Sequence, residues 1–155
     1  MSKWTDTEEW KGLLNGDGCP ICQRGGKPTN IIAELKASYL VAGDEAVLKG
    51  ACALFFKRHA VELYELSPEE AADFIGDVRR VAKIVQELTG AVKINYEIHG
   101  NTIPHLHMHL FPRYRGDAFE NQPINPRLAS PEIYAPGEFA ALIAAIQEAL
   151  GRTEE

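Results

Sequence analysis

PHLHMHLFPR, residues 104–113, carries three of the five histidines in a chain of 155 residues. An extended chain points residues i, i+2 and i+4 the same way. His105, His107 and His109 therefore share one face, and Leu106, Met108 and Leu110 share the other. Pro104 and Pro112 bracket the run, and proline is tolerated at strand ends rather than in the middle. The segment reads as a short strand over 105–111, with an apolar back turned to a core and an imidazole front. One metal ion cannot gather all three rings. Positions i and i+4 lie about 13 Å apart along a strand, whereas zinc holds a nitrogen ligand at about 2.1 Å. The alternation instead predicts divided work: one histidine as nucleophile, one as a contact for charge, one as a structural group. Imidazole attacks phosphorus near neutral pH and forms a phosphoramidate. A neighbouring protonated imidazole donates a hydrogen bond to a phosphate oxygen. Gly100, Asn101 and Thr102, just upstream, offer backbone N–H groups and short polar side chains to such oxygens.

The rest of the chain supplies the scaffold. Residues 29–42 read as one or two strands with a break, and 51–56 ("ACALFF") as a buried strand. Residues 67–90 give the clearest helix. Ser67 suits the N-cap, Pro68 the first helical position, and Glu70 completes a capping box. Gly90 stops the helix. Phe74, Val78, Val81, Ala82 and Val85 form its apolar face. Residues 91–98 alternate as a strand. A proline-bearing tail follows Arg115, then an apolar-faced helix over 138–150. This order predicts a single α+β domain, a small antiparallel sheet with helices on one face.

The formal net charge is −6, which disfavours non-specific binding to nucleic acid because that rests on a basic field. An anionic substrate needs a local site. Lys57, Arg58, Arg113 and Arg115 lie near histidines in sequence and are candidates, although each alone reads as an ordinary solvated charge. No apolar run approaches the roughly 20 residues that span a bilayer. The first residues show no apolar signal core, so the expected location is the cytoplasm, with no membrane partner.

The three cysteines, Cys19, Cys22 and Cys52, are too few and odd in number for a disulfide framework. Cys52 reads as a small buried hydrophobe. Cys19-Pro20-Ile21-Cys22 sits between glycine-rich turns with no helix behind it, which favours zinc over thioredoxin-type redox chemistry. A closed zinc site needs two further ligands, and histidines are the candidates.

His105 to Phe111 has the form His-φ-His-φ-His-φ-φ, where φ is apolar. With the strand at 50–56, "KRH", "LYELSPEE" opening the helix and "GNTIPHLHMHLFPR", it resembles the histidine triad (HIT) superfamily of nucleotide hydrolases and transferases over residues 19–115. Residues 1–18, an N-terminal helix and turn, and 116–155 fall outside the resemblance. It implies a five-stranded antiparallel sheet with a packed helix, paired into ten strands in a homodimer. It implies that His107 attacks the α-phosphorus of a purine nucleotide or dinucleoside polyphosphate, forming a nucleotidyl-histidine that water hydrolyses. His109 would contact the phosphate. Thr102 replaces a serine near the leaving group, Asn101 stands where glutamine is common, and Asn95 matches a phosphate-side asparagine across a shortened loop. Some bacterial members carry an N-terminal C-x2-C pair. The resemblance then completes the zinc site with His59 and His105, with His99 as the substitute for His59. A nucleotide-binding regulatory protein with little turnover is the alternative function, and a zinc-binding regulatory module is a third.

Overall fold

The computed structural model describes residues 3–152. Five strands form one antiparallel sheet: β1 (Ile31–Glu34), β2 (Ser38–Val41), β3 (Cys52–Phe56), β4 (Lys93–Glu97) and β5 (His107–Arg113), in the order β1-β2-β3-β5-β4. Three helices accompany them, α1 (Thr7–Asn15), α2 (Pro68–Thr89) and α3 (Glu138–Gly151). The α+β architecture and the five-strand count agree with the sequence reading. The stretch 29–42 resolves into the β1–β2 hairpin.

Period-two alternation decides which face of the sheet is core. Leu40, Leu54, Phe56, Met108 and Leu110 are buried against Phe74, Val78, Val81, Ala82 and Val85 of α2. These five are the helix positions expected from the 3.6-residue repeat. The Ser67–Glu70 capping box is formed, and Gly90 ends α2 in the left-handed conformation at φ 69°. The opposite face carries Phe55, His107, His109 and Phe111, because Phe55 pairs with His107 and Ala53 with His109 across β3 and β5.

The histidine strand is shifted relative to its expected span: β5 begins at His107 and continues through Pro112 to Arg113. His105 is drawn out of the ladder. Leu106 still donates to the Ala60 carbonyl at 2.7 Å and accepts from Phe56 N at 3.0 Å. Pro112 is accommodated within β5 because β3 has already ended at that level, its last pair being Cys52 with Leu110. Pro112 also packs near Gly50, where φ is +80° and an added Cβ would lie 2.9 Å from Thr89 Cγ2. Only glycine combines that backbone angle with that lack of space.

The tail from Gly116 to Gly137 holds only short 3-10 turns, yet it is anchored. Phe119 and Ile124 pack with Leu48 and Phe111. Ala46 and Ser130 exchange backbone hydrogen bonds of 3.3 and 3.0 Å, and Tyr134 Oη accepts from Gly50 N at 2.7 Å. Among the described residues no helix is long and apolar enough to cross a membrane.

Asp77 of α2 is a buried charge with a clear task. Its carboxylate accepts from Ala37 N at 2.9 Å and Ser38 Oγ at 2.7 Å, tying the β1–β2 turn to the helix. Asp77→Ala leaves both donors unpaired, and Ser38 is fully buried. Each unsatisfied group costs about 1–3 kcal/mol, so urea unfolding is expected to show a loss of about 2–4 kcal/mol. A loss under about 1 kcal/mol would mean that packing alone holds the hairpin.

Candidate active site and metal centre

Cys19, Cys22, His59 and His105 converge, with one ligand atom from each lying within 4.8 Å of the others. The two cysteines stand on a knuckle whose backbone folds on itself: Gln23 N donates to Cys19 O and Gly25 N to Cys22 O, both at 3.0 Å. His59 follows β3, and His105 precedes β5. His105 Nδ1 lies 3.5 Å from Cys19 Sγ and 3.7 Å from Cys22 Sγ, and His59 Nδ1 lies 3.3 Å from Cys22 Sγ. A tetrahedral ion with zinc-like bond lengths has ligand–ligand edges of about 3.3–3.8 Å, which these three distances match, within a set that spans up to 4.8 Å.

The outer contacts set the tautomers. His105 Nε2 donates to Phe56 O at 2.7 Å, and His59 Nε2 donates to Leu14 O at 2.8 Å. Both rings thereby turn an unprotonated Nδ1 toward the sulfurs, as metal-ligating histidines do. Leu14 belongs to α1, so the N-terminal helix buttresses the cluster, and Gly16 leaves room for the His59 ring, 3.3 Å from where a Cβ would stand. Without a cation the Cys22 thiol resists ionisation: burial, then the hydrogen bond and charge of Cys19, push it up to about 11. A divalent ion inverts this balance. Cys52 is apart from the cluster and buried, and its thiol is pushed up to about 12 by desolvation. His99 takes no part either: its Nε2 pairs with Glu97 at 2.8 Å.

His107 and His109 occupy the sheet face above β3. The His107 ring stacks on Phe55 at 4.4 Å between centroids and 2° between planes. His107 Nδ1 donates to the His105 carbonyl at 2.6 Å, which leaves the lone pair on Nε2. The His109 ring stands against His107 at 4.8 Å, edge to face, and parallel to Phe111 at 5.6 Å. Burial lowers the pKa of His107, and the hydrogen bond to His105 opposes that shift. Burial, with His107 and His99 nearby, pushes His109 down to about 4. The protonated neighbour expected from sequence is thus a neutral ring at pH 7 in the ligand-free site, with a single N–H to donate.

Asn101 and Thr102 are exposed in the bend that precedes the triad. Asn95 shares the histidine face, but its Oδ1 accepts from Arg113 Nη1 at 2.7 Å. Three of the four candidate cations are engaged internally: Lys57 with Glu34, Arg58 with Glu70, and Arg113 with Asp117. Arg115 is exposed.

A cavity of about 530 Å³ opens beside His109. Phe55 and Phe111 contribute aromatic surface, and Ala51 and Ala53 leave the space that larger side chains would fill. Pro20, Ile21 and Arg24 of the knuckle form one wall, and Pro126 and Ala129 of the tail another. Of these, the sequence places Phe55 and Phe111 on strands and Pro20 and Ile21 in the cysteine knuckle, without assigning any of them to a pocket. No motif pointed to the tail or to Arg24.

The HIT domain family matches residues 24–116. The bis(5'-nucleosyl)-tetraphosphatase (asymmetrical) of Schizosaccharomyces pombe is 27% identical over 109 residues, 67% of this chain and 60% of that protein. The adenosine 5'-monophosphoramidase of the same organism is 29% identical over 128 residues, 77% of this chain and 93% of that one. The crystal structure of a histidine triad protein from Bradyrhizobium japonicum superposes with a TM-score of 0.66 at 28% identity, covering 76% of this chain and 87% of that chain. The family match takes in β3 and β5, the two strands that hold the triad rings, and spans more than half of the chain, which therefore belongs to the HIT family.

Proposed function

We propose that the chain is a nucleotide hydrolase or nucleotidyl transferase that works at the α-phosphate through a covalent intermediate on His107. The observation that carries this reading is the His107 tautomer: Nδ1 is committed to the His105 carbonyl at 2.6 Å, so Nε2 offers its lone pair. In the first step Nε2 attacks the α-phosphorus. The N–P bond forms as the bond from phosphorus to the leaving oxygen or nitrogen breaks, and the leaving group departs with the bonding pair and takes up a proton. Water then attacks the same phosphorus, the N–P bond breaks, and a nucleoside monophosphate leaves. His109 donates its N–H to a non-bridging oxygen, a contact that strengthens as charge develops. Thr102 and Asn101 reach the leaving-group side, and Asn95 supports the phosphate side through Arg113. Dinucleoside polyphosphates and nucleoside phosphoramidates are the substrate classes, in line with the names of the two S. pombe relatives. The protein incubated with either substrate is expected to gain the mass of one nucleoside monophosphate. His107→Ala should abolish that adduct and lower turnover on the order of 10³-fold or more. Wild-type turnover by His107→Ala would exclude the mechanism.

Cys19, Cys22, His59 and His105 would hold zinc in a structural site. Zinc there supplies a cross-link between knuckle and sheet and draws the protons from the thiols. Elemental analysis of protein purified without chelator is expected to give one zinc per chain, and cobalt in its place should show the intense visible absorption of a tetrahedral thiolate site. Cys22→Ser should lose both. A metal content near zero in the wild type would refute the assignment.

The chain pairs with a second copy through β4. That strand ends the sheet, and Tyr96 on it and Val92 just before it are 54% and 51% exposed. An open edge of this kind invites antiparallel pairing, and a twofold arrangement closes it. Light scattering is expected to give twice the chain mass of 17.1 kDa, and Tyr96→Lys to shift the protein toward a monomer. A monomeric wild type at micromolar concentration would rule this out.

A further inference from the structure

We propose that the cavity beside His109 is a guanine-selective nucleoside site, in which Arg24 donates to O6 and N7 of the base and Glu45 accepts from its N1–H and N2–H groups. This rests on the proposed attack at an α-phosphate, and it names the class of nucleotide that would be attacked.

The cavity runs across the sheet. His109 on β5, Ala53 on β3 and Val41 on β2 line it, and Asn30, just before β1, lies at its far end. Ala53 pairs with both His109 and Val41, so these three residues make one row. Adjacent strands lie about 4.8 Å apart, and three spacings make roughly 14 Å. That is the reach of an extended nucleoside monophosphate. With phosphate held at the triad rings on β5, the ribose passes over β3 and the base lies toward β2 and β1. The small side chains of Ala51 and Ala53 leave the depth that a flat ring needs.

Among the described residues, Arg24 and Glu45 are the two side chains of full charge that line this cavity. Neither has an ion pair or a side-chain hydrogen bond among those residues. Lys57, Arg58 and Arg113, in contrast, are each matched to a carboxylate. The backbone under both groups is tied down. Arg24 N donates to Ile21 O at 3.1 Å within the knuckle. Glu45 precedes Ala46, which exchanges hydrogen bonds of 3.3 and 3.0 Å with Ser130 of the tail. The two charges therefore stand on separate supports in one cavity, and each is available to a ligand.

Guanine matches the pair edge for edge. A guanidinium is a planar fork of donors, and O6 and N7 are adjacent acceptors that it bonds bidentately. A carboxylate only accepts, and N1–H and N2–H are adjacent donors on the far side of O6. Adenine reverses the pattern. Its N6 amino group would meet Arg24 donor to donor, and its N1 would meet Glu45 acceptor to acceptor. A site built to hydrogen-bond one pattern rejects an analogue that leaves its polar groups unmatched. A bidentate pair separates right from wrong base by about tenfold or more, and the exposure of both side chains holds the effect near the lower end. Glu45 also makes the base end unfavourable for a second phosphate, which Arg24 alone would attract.

The test is calorimetric binding of GMP, AMP, IMP and 7-deaza-GMP to the full chain, as wild type, Arg24→Leu and Glu45→Leu. Monophosphate binding needs no turnover. Wild type is expected to bind GMP about tenfold or more tighter than AMP. IMP lacks the N2 amino group and 7-deaza-GMP lacks the N7 acceptor, and each should bind about threefold or more weaker than GMP. In Arg24→Leu the penalty for losing N7 should vanish while the penalty for losing the amino group persists. Glu45→Leu should show the reverse. Damage to the fold would lower all four ligands together and leave both penalties in place. Equal binding of GMP and AMP by wild type overturns the proposal. So does an equal loss for all four ligands in Arg24→Leu, which would make Arg24 a phosphate contact. Wild type that prefers GMP yet forms no nucleotidyl adduct from guanosine or adenosine phosphoramidate would sink the catalytic function and leave the guanine site standing. Failure to bind any of the four would sink both.

Discussion

The histidine face depends on how one buried ring is held. His105 has no room to turn toward solvent, so every polar atom it carries must be matched inside the protein. Phe56 O takes the Nε2 proton, the cysteine sulfurs face Nδ1, and the His105 carbonyl is left for His107. Each match excludes an alternative. With Nε2 committed as a donor, Nδ1 is a pure acceptor and suits a cation. With the carbonyl committed to His107, that residue's Nε2 is left as an acceptor or a nucleophile. Burial enforces the chain of assignments, because a mismatch at any link would strand an unpaired polar group where water cannot reach it.

Strand parity made much of this legible in advance. Alternating imidazole and aliphatic residues fixed which side of β5 faces α2, and the capping box and apolar repeat located α2 nearly to the residue. Parity also separated His105 from a shared three-histidine metal site. It did not reveal that His105 leaves the ladder. That depends on Ala60 and on the cysteine knuckle, contacts made by segments far apart in the chain. The cavity was hidden for a related reason. Ala51 and Ala53 define it by being small, and an absence of side-chain volume has no periodic mark. The tail was unreadable because its anchors are single contacts. Phe119, Ile124 and Ser130 each meet one partner site, with no repeat among them to detect. The role of α1 was missed because it enters through a main-chain carbonyl, that of Leu14, which any residue type would supply.

The cations that lie near the histidines in sequence are balanced locally rather than massed at the site. Lys57, Arg58 and Arg113 are each matched to a carboxylate, and the two triad rings are kept neutral by burial. A basic pocket would hold phosphate tightly, but it would hold product phosphate equally well. Uniform binding of that kind does not lower the barrier. Neutral donors discriminate better, because their interaction grows as negative charge accumulates on the phosphoryl oxygens. The same neutrality protects the proposed nucleophile. A cationic His109 edge-on to His107 at 4.8 Å would draw density from the ring that must donate a pair. Desolvation suppresses that cation in the free site. An incoming phosphate oxyanion offers the one partner that would offset the desolvation, so any proton that His109 gains there is gained against the substrate. The acid form of His109 would then exist only where it is useful, in the complex, while the free site keeps both rings neutral and the His107 lone pair available.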